Sequence, residues 1–197
     1  RSGGSGPDDE ERWTELAKCY AELRHFERAL QYVRTALRLA GRPDPGLLNL
    51  QALYCAELGD FQRAEMLYRE ADAVSSTWGG PMFNLALLLR RQAEHARALD
   101  AIRASLRKER SGPAHTLEAE CLRALGRENE ARAALAAARR AFPAPNAADD
   151  WQLGWLDVFA RLTGEEKLRE AVRAERERRS KERQTPAEDG PRPAMVG

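Results

Sequence analysis

Long apolar runs are missing from this 197-residue sequence, and no stretch approaches the roughly 18 consecutive apolar residues that suggest a membrane span. No charged and then apolar leader precedes a cleavage site, so nothing reads as a secretory signal. Neither sign of charge dominates: 32 basic residues face 31 acidic ones, for a net charge of +1. Such a balance gives no electrostatic footprint for duplex nucleic acid. Lysine is scarce among the basic residues, at Lys18, Lys108, Lys167 and Lys181 alone. The arginine and alanine excess points to a GC-rich, bacterial genome. Cysteine is scarce too. Cys19, Cys55 and Cys121 are far apart with no CxxC, which favours a reducing, cytoplasmic compartment.

The groupings that chemistry needs are also absent. His25, His95 and His115 form no i,i+3 or i,i+4 pair that could hold a metal. The one glycine cluster, "GGSG", precedes no strand, so it cradles no phosphate. Carboxylates are plentiful but spread along helix faces. Each cysteine falls mid-way along a repeat's first helix, where it is expected to pack as a small apolar residue. No catalytic, cofactor or metal site is expected, and the length leaves no room for a separate enzyme domain beside the repeats.

What is present is a schedule. With Trp13, Leu48, Met82 and His115 as the fourth position of successive units, position 8 is Ala17, Ala52, Ala86 and Ala119. Position 20 is Ala29, Ala64, Ala98 and Ala131, and position 27 is Ala36, Ala71, Ser105 and Ala138. Small residues at those spacings let one helix lie close against the next, so the repeating unit is a helix-turn-helix pair. Periodicity and punctuation predict helices over 10–23, 26–40, 45–58, 61–75, 79–92, 95–109, 113–125, 128–142, 148–162 and 165–183. Asp44 can accept from first-turn amides and Pro45 leaves none orphaned, so the pair starts a helix. Asp60 can cap the next one. Pro81 and Pro113 sit in first turns, and Gly59, Gly126 and Gly164 mark tight connections.

The run Glu10–Pro145 resembles a tetratricopeptide repeat array. "RWTELAKCYAELRHFERALQYVRTAL" supplies Trp13, Leu16, Ala17, Tyr20, Phe26, Ala29 and Ala36 in that family's order. The second unit supplies Leu48, Ala52, Gly59, Phe61, Ala64, Tyr68 and Ala71. The third reads "MFNLALLLRRQAEHARALDAIRASL" and the fourth "HTLEAECLRALGRENEARAALAAA". Gln51 and Glu118 depart from the usual leucine, and His95 and Glu128 from the turn aromatic. The resemblance implies an all-α, right-handed α-solenoid with units 10–43, 45–78, 79–111 and 112–145.

Flanking segments differ. "RSGGSGPDD" (1–9) reads as a natural linker or the remnant of an expression tag, and the absence of a starting Met favours a piece of a longer protein. In 148–183 Trp155 stands where the repeats carry a small residue. The helix after it keeps only Leu168, Ala171, Val172 and Ala174 as an apolar stripe. This segment is expected to be a degenerate fifth repeat that caps the array, with Trp151 and Trp155 buried on the fourth unit. The alternative is an aromatic docking site for another domain. The charged run Glu175–Arg183 reads as a solvated helix end, supported by Glu175/Arg179 and Glu177/Lys181 at i,i+4. Residues 184–197 are expected to be disordered.

The resemblance also places the first helix of each unit on a concave face. The candidate partner-binding residues there are Asn49, Leu50, Leu53, Phe83, Asn84, Leu87, Arg90, Arg91, Glu120 and Arg123. Leucine and phenylalanine would take an apolar anchor, asparagine can pair with a peptide backbone, and arginine forks suit carboxylates. The expected function is a protein interaction module that holds an extended segment, acidic if Arg90, Arg91 and Arg123 act together; the alternative is a scaffold or self-association domain with an empty groove. A clamp for the acidic tails of heat-shock chaperones is not expected. Family members of that kind use Lys and Asn where this chain has Thr14 and Lys18, Asn at Leu50, and basic residues at Gly80 and Asn84.

Overall fold

The computed structural model describes residues 7–184. Helices α1 (Pro7–Glu22), α2 (Phe26–Ala40), α3 (Pro45–Glu57), α4 (Phe61–Val74), α5 (Gly80–Arg91), α6 (His95–Lys108), α7 (Gly112–Ala124) and α8 (Glu128–Ala141) pair in sequence as antiparallel hairpins. A 3-10 turn at Pro145–Ala147 leads into α9 (Asp150–Thr163) and α10 (Glu166–Gln184). The first helix begins at Pro7, inside the stretch read as linker. The expected tail lies beyond the described residues, apart from Gln184, which ends α10.

Local chemistry sets these boundaries. Asp44 accepts from the Leu47 amide at 2.9 Å, Asp60 from Arg63 at 3.2 Å and Ser111 from Ala114 at 3.3 Å, each satisfying an orphan first-turn donor. The turn inside every unit needs one left-handed residue. Gly59 and Gly126 supply it in the second and fourth units, but Arg24 and Ala93 adopt φ 60° in the first and third, at the steric cost of a Cβ.

The seam residues close the packing. All twelve small residues of the repeat schedule are buried, eleven of them with no exposed surface. Helices crossing at such residues approach closely enough that the larger side chains between them, Tyr54, Tyr68, Leu85 and Ile102, form one continuous core. Glu118, in place of a leucine, is accommodated by Arg103 at 3.1 Å and His115 at 3.4 Å, which hold its carboxyl below the usual carboxylate range. Cys55 and Cys121 are buried, and burial pushes the Cys121 thiol up to about 11. Cys19 is exposed, contrary to expectation, because among the described residues α1 packs chiefly on α2 and leaves that side open.

The cap is clasped by charge as well as packing. Asp149 and Gln152 form a reciprocal capping box at 2.7 and 3.0 Å. Arg179 bonds the Ala148 carbonyl at 2.7 Å, Asp150 at 3.1 Å and Glu175 at 2.7 Å, and Arg183 reaches Asp150 at 3.0 Å. Beneath lie Leu153, Leu156 and Val172, with Leu168 packed against them. The buried residues of α10 are Val172 and Glu175, while Ala171 and Ala174 face solvent. The charged run is therefore partly an internal clasp, because Glu175 sits under two arginines.

Candidate partner-binding groove

Helices α1, α3, α5 and α7 form the inner row, and the groove they line has two unlike halves. At the C-terminal half the cap lies inside it. Helix α9 packs more on α7 than on α8, since an indole at position 155 cannot make the close approach that alanine makes in the four units. Trp151 and Trp155 therefore cover Phe83 on α5, edge to face, with ring centroids 5.7 and 5.6 Å away. Both were expected on the fourth unit; α9 packs on α7 of that unit, and the two rings also reach Phe83 of the third. Phe83 is left only 7% exposed, while Trp151 remains 55% exposed.

The arginines of this half are all engaged. Arg90 pairs with Glu120 at 2.5 Å and Arg91 with Glu57 at 3.3 Å. Arg123 donates to the Leu162 carbonyl at 3.0 Å, tying α7 to the end of α9. Arg90, Arg91 and Arg123 are therefore not a free cluster, because each guanidinium meets a carboxylate or carbonyl 30 to 39 residues away in sequence. Leu87 packs half-buried against the core.

The N-terminal half is open. A cleft of about 570 Å³ lies between α1 and α3, with Leu47, Asn49 and Leu50 from α3, Thr14 and Lys18 from α1, and Trp78 at one end. Its rim carries Glu10, Glu11, Glu15 and Asp44. Asn84 donates to Asn49 at 2.9 Å, joining α5 to α3; that bond leaves the Asn49 amide donors and the Asn84 carbonyl free in valence. Leu53 lies exposed on α3, one turn beyond Leu50.

Trp78 separates this cleft from a smaller cavity of about 260 Å³ lined by Phe83, Asn84, Ser105 and Trp151. Its position is built. Lys108 bonds the Asp72 carboxylate at 2.6 Å and the Asp72 and Ser75 carbonyls at 2.7 and 2.6 Å, and the Ser75 hydroxyl accepts from the Trp78 amide at 3.2 Å. Gly80 must be glycine here, since a Cβ would come within 2.5 Å of the indole. Sequence reasoning missed Trp78, Glu10 and Glu11 as groove residues. The readable signal was the "WGGP" string, where glycines directly after an indole leave room for the ring.

Among the described residues no group of three or more His, Cys, Asp or Glu side chains could hold a metal, and no helix is long and apolar enough to cross a membrane.

Comparison with known proteins agrees with this architecture. Residues 10–42 match the family model of the tetratricopeptide repeat. Among solved structures, MamA superposes with a TM-score of 0.59 at 16% identity over 69% of this chain and 80% of that one. MamA from Desulfovibrio magneticus RS-1, residue 41 to the end, gives 0.59 at 15% identity over 91% and 98%. The C-terminal part of a tetratricopeptide repeat-containing protein from Cytophaga hutchinsonii gives 0.61 at 11% identity over 84% and 65%. No curated protein matches. The first unit matches the tetratricopeptide repeat, and the chain has the all-helical solenoid fold of tetratricopeptide-repeat proteins. That fold generally serves as a protein–protein interaction module.

Proposed function

We propose that this chain is a protein-binding module that holds an extended partner segment in the open, N-terminal half of its groove. The observation that carries this reading is the cleft over Leu47, Asn49 and Leu50, beside a C-terminal half that the chain's own tryptophans fill. An extended backbone exposes a donor and an acceptor at each residue, which suit the unused groups of Asn49 and Asn84. Leu50 and Leu53 offer an apolar floor. The expected affinity is modest, with a dissociation constant on the order of micromolar, because ordering a free peptide offsets much of the contact energy. Selection from a random peptide library against the wild type and Leu50→Arg tests it. Enriched peptides that bind the wild type and lose the variant support the groove; binders indifferent to Leu50→Arg contradict it.

One observation favours the scaffold reading as a second possibility. Leu16 and Leu23 on α1 are 42% and 67% exposed. The residues equivalent to Leu16 in the second and third units, Gln51 and Leu85, are buried under the preceding hairpin. An apolar face of this kind suits a docked helix. Sedimentation over a range of concentrations, with Leu16→Glu/Leu23→Glu beside the wild type, tests it: association lost in the variant supports stacking, and a monomer at every concentration refutes self-association.

A further inference from the structure

We propose that the open half of the groove selects a cationic partner segment, seating an arginine or lysine against the Trp78 indole under the carboxylates of Glu10, Glu11 and Glu15. The proposal rests on the groove reading above and adds the chemistry of the partner, opposite in sign to the acidic segment that the arginines suggested.

Charge is the first ground. Glu10, Glu11 and Glu15 line one side of the cleft. Among the described residues the one cation lining it, Lys18, already pairs with Glu15 at 2.6 Å. Asp44 adds a further carboxylate, though it is engaged as a helix cap. Neither Glu10 nor Glu11 has an ion-pair partner among the described residues, so the rim is net negative. At the other end Arg90 and Arg91 are cancelled by Glu120 and Glu57. Among the described residues Arg123 is engaged as well, by the Leu162 carbonyl and, at 3.9 Å, by Glu128. Carboxylates along the wall of an apolar cleft concentrate cations and orient them on approach.

The second ground is Trp78. Its loop is fixed by Lys108 and Ser75, and its ring lies where only a glycine at position 80 leaves space. An indole bordering a cleft, on a backbone held in this way, is a ready acceptor for a guanidinium or ammonium, since the ring face carries negative charge density. Carboxylates lining the same cleft would pair with the same cation. In an extended chain, side chains two residues apart point the same way. A segment with a cation over Trp78 therefore places an apolar side chain on Leu47 and Leu50.

Two synthetic probes test the proposal by fluorescence anisotropy at low salt: a short peptide repeating leucine, arginine and proline, and the same peptide with glutamate for arginine. The arginine peptide is expected to bind roughly tenfold tighter, an advantage that fades as salt rises. Glu10→Gln/Glu11→Gln/Glu15→Gln is expected to erase the preference without altering the melting temperature, since these side chains are exposed or half-buried. Trp78→Leu is expected to weaken the arginine peptide further; should that loop unfold, the triple variant still decides. Equal binding of both peptides, or a glutamate preference, overturns the cationic reading and leaves the groove standing. If neither probe binds while library peptides still depend on Leu50, the cationic reading falls alone. If no peptide binds at all, both fall. Self-association abolished by the triple variant would assign the face to a second copy and overturn the proposal.

Discussion

Replacing Ala64 by leucine puts the packing argument at risk most simply. Ala64 has no exposed surface, and it stands at the same repeat position as Ala29, Ala98 and Ala131, which are also fully closed. A leucine brings three more carbons to a site without free volume, so the helices must part or the side chain must leave its rotamer. Overpacking of this kind costs about 1–3 kcal/mol. For an array of this length each kcal/mol moves the melting temperature by roughly 2–4 °C, so the expected loss is about 2–12 °C. Thermal unfolding followed by circular dichroism measures it, with Ala133→Leu and Ala137→Leu as controls. Ala133 is exposed, and Ala137 is half-buried beside a shallow cavity of about 270 Å³. Both controls are expected to be milder. Equal melting of all three variants would refute the seam.

Ala93→Gly is expected to raise stability by about 0.5–1 kcal/mol, because the left-handed strain of a Cβ exceeds the entropy that glycine adds to the unfolded chain; denaturant titration reads it, and a loss would mean the turn is not strained. Glu175→Gln probes the cap clasp through pH. Arg178 and Arg179 hold the Glu175 carboxyl down at about 2, below the roughly 4.3 of an unfolded chain. A depressed pKa stabilises fully above the unfolded value and is lost as pH falls through the folded one. The melting gap between variant and wild type is therefore expected to be constant down to about pH 5 and to close toward pH 2; a gap independent of pH would show that the ion pairs do not matter. Lys108→Met removes two bonds to Asp72 at the end of α4 and one to Ser75 at the start of the Trp78 loop and is expected to cost about 1.5–3 kcal/mol in urea unfolding, whereas an unchanged midpoint would show that the loop is held otherwise.

The helices and their contacts were legible because they are local and periodic. Asp44-Pro45 and Asp60 cap where their side chains predict, and the alanines of the schedule close the crossings. The groove was legible only in part. Asn49, Leu50 and Phe83 do face inward, but what meets them comes from far along the chain. Phe83 is covered by residues of α9, and Arg90 is neutralised by Glu120 from the next unit. Neither partner is encoded by anything near position 83 or 90. Trp155 signalled that the fifth pair departs from the repeat, yet not toward which side it would swing. Glu10 and Glu11 fall at the start of the helix expected over 10–23, but nothing local says that this turn faces α3 across a cleft.

The most direct test of the account is the response of individual tryptophans to a bound segment. With the indole N–H signals of Trp13, Trp78, Trp151 and Trp155 assigned by substitution, titration with the arginine probe is followed by two-dimensional NMR. The account predicts that the Trp78 signal moves in a saturable way while Trp151 and Trp155, committed to Phe83, stay in place. Movement of Trp151 and Trp155 with Trp78 unchanged would contradict it.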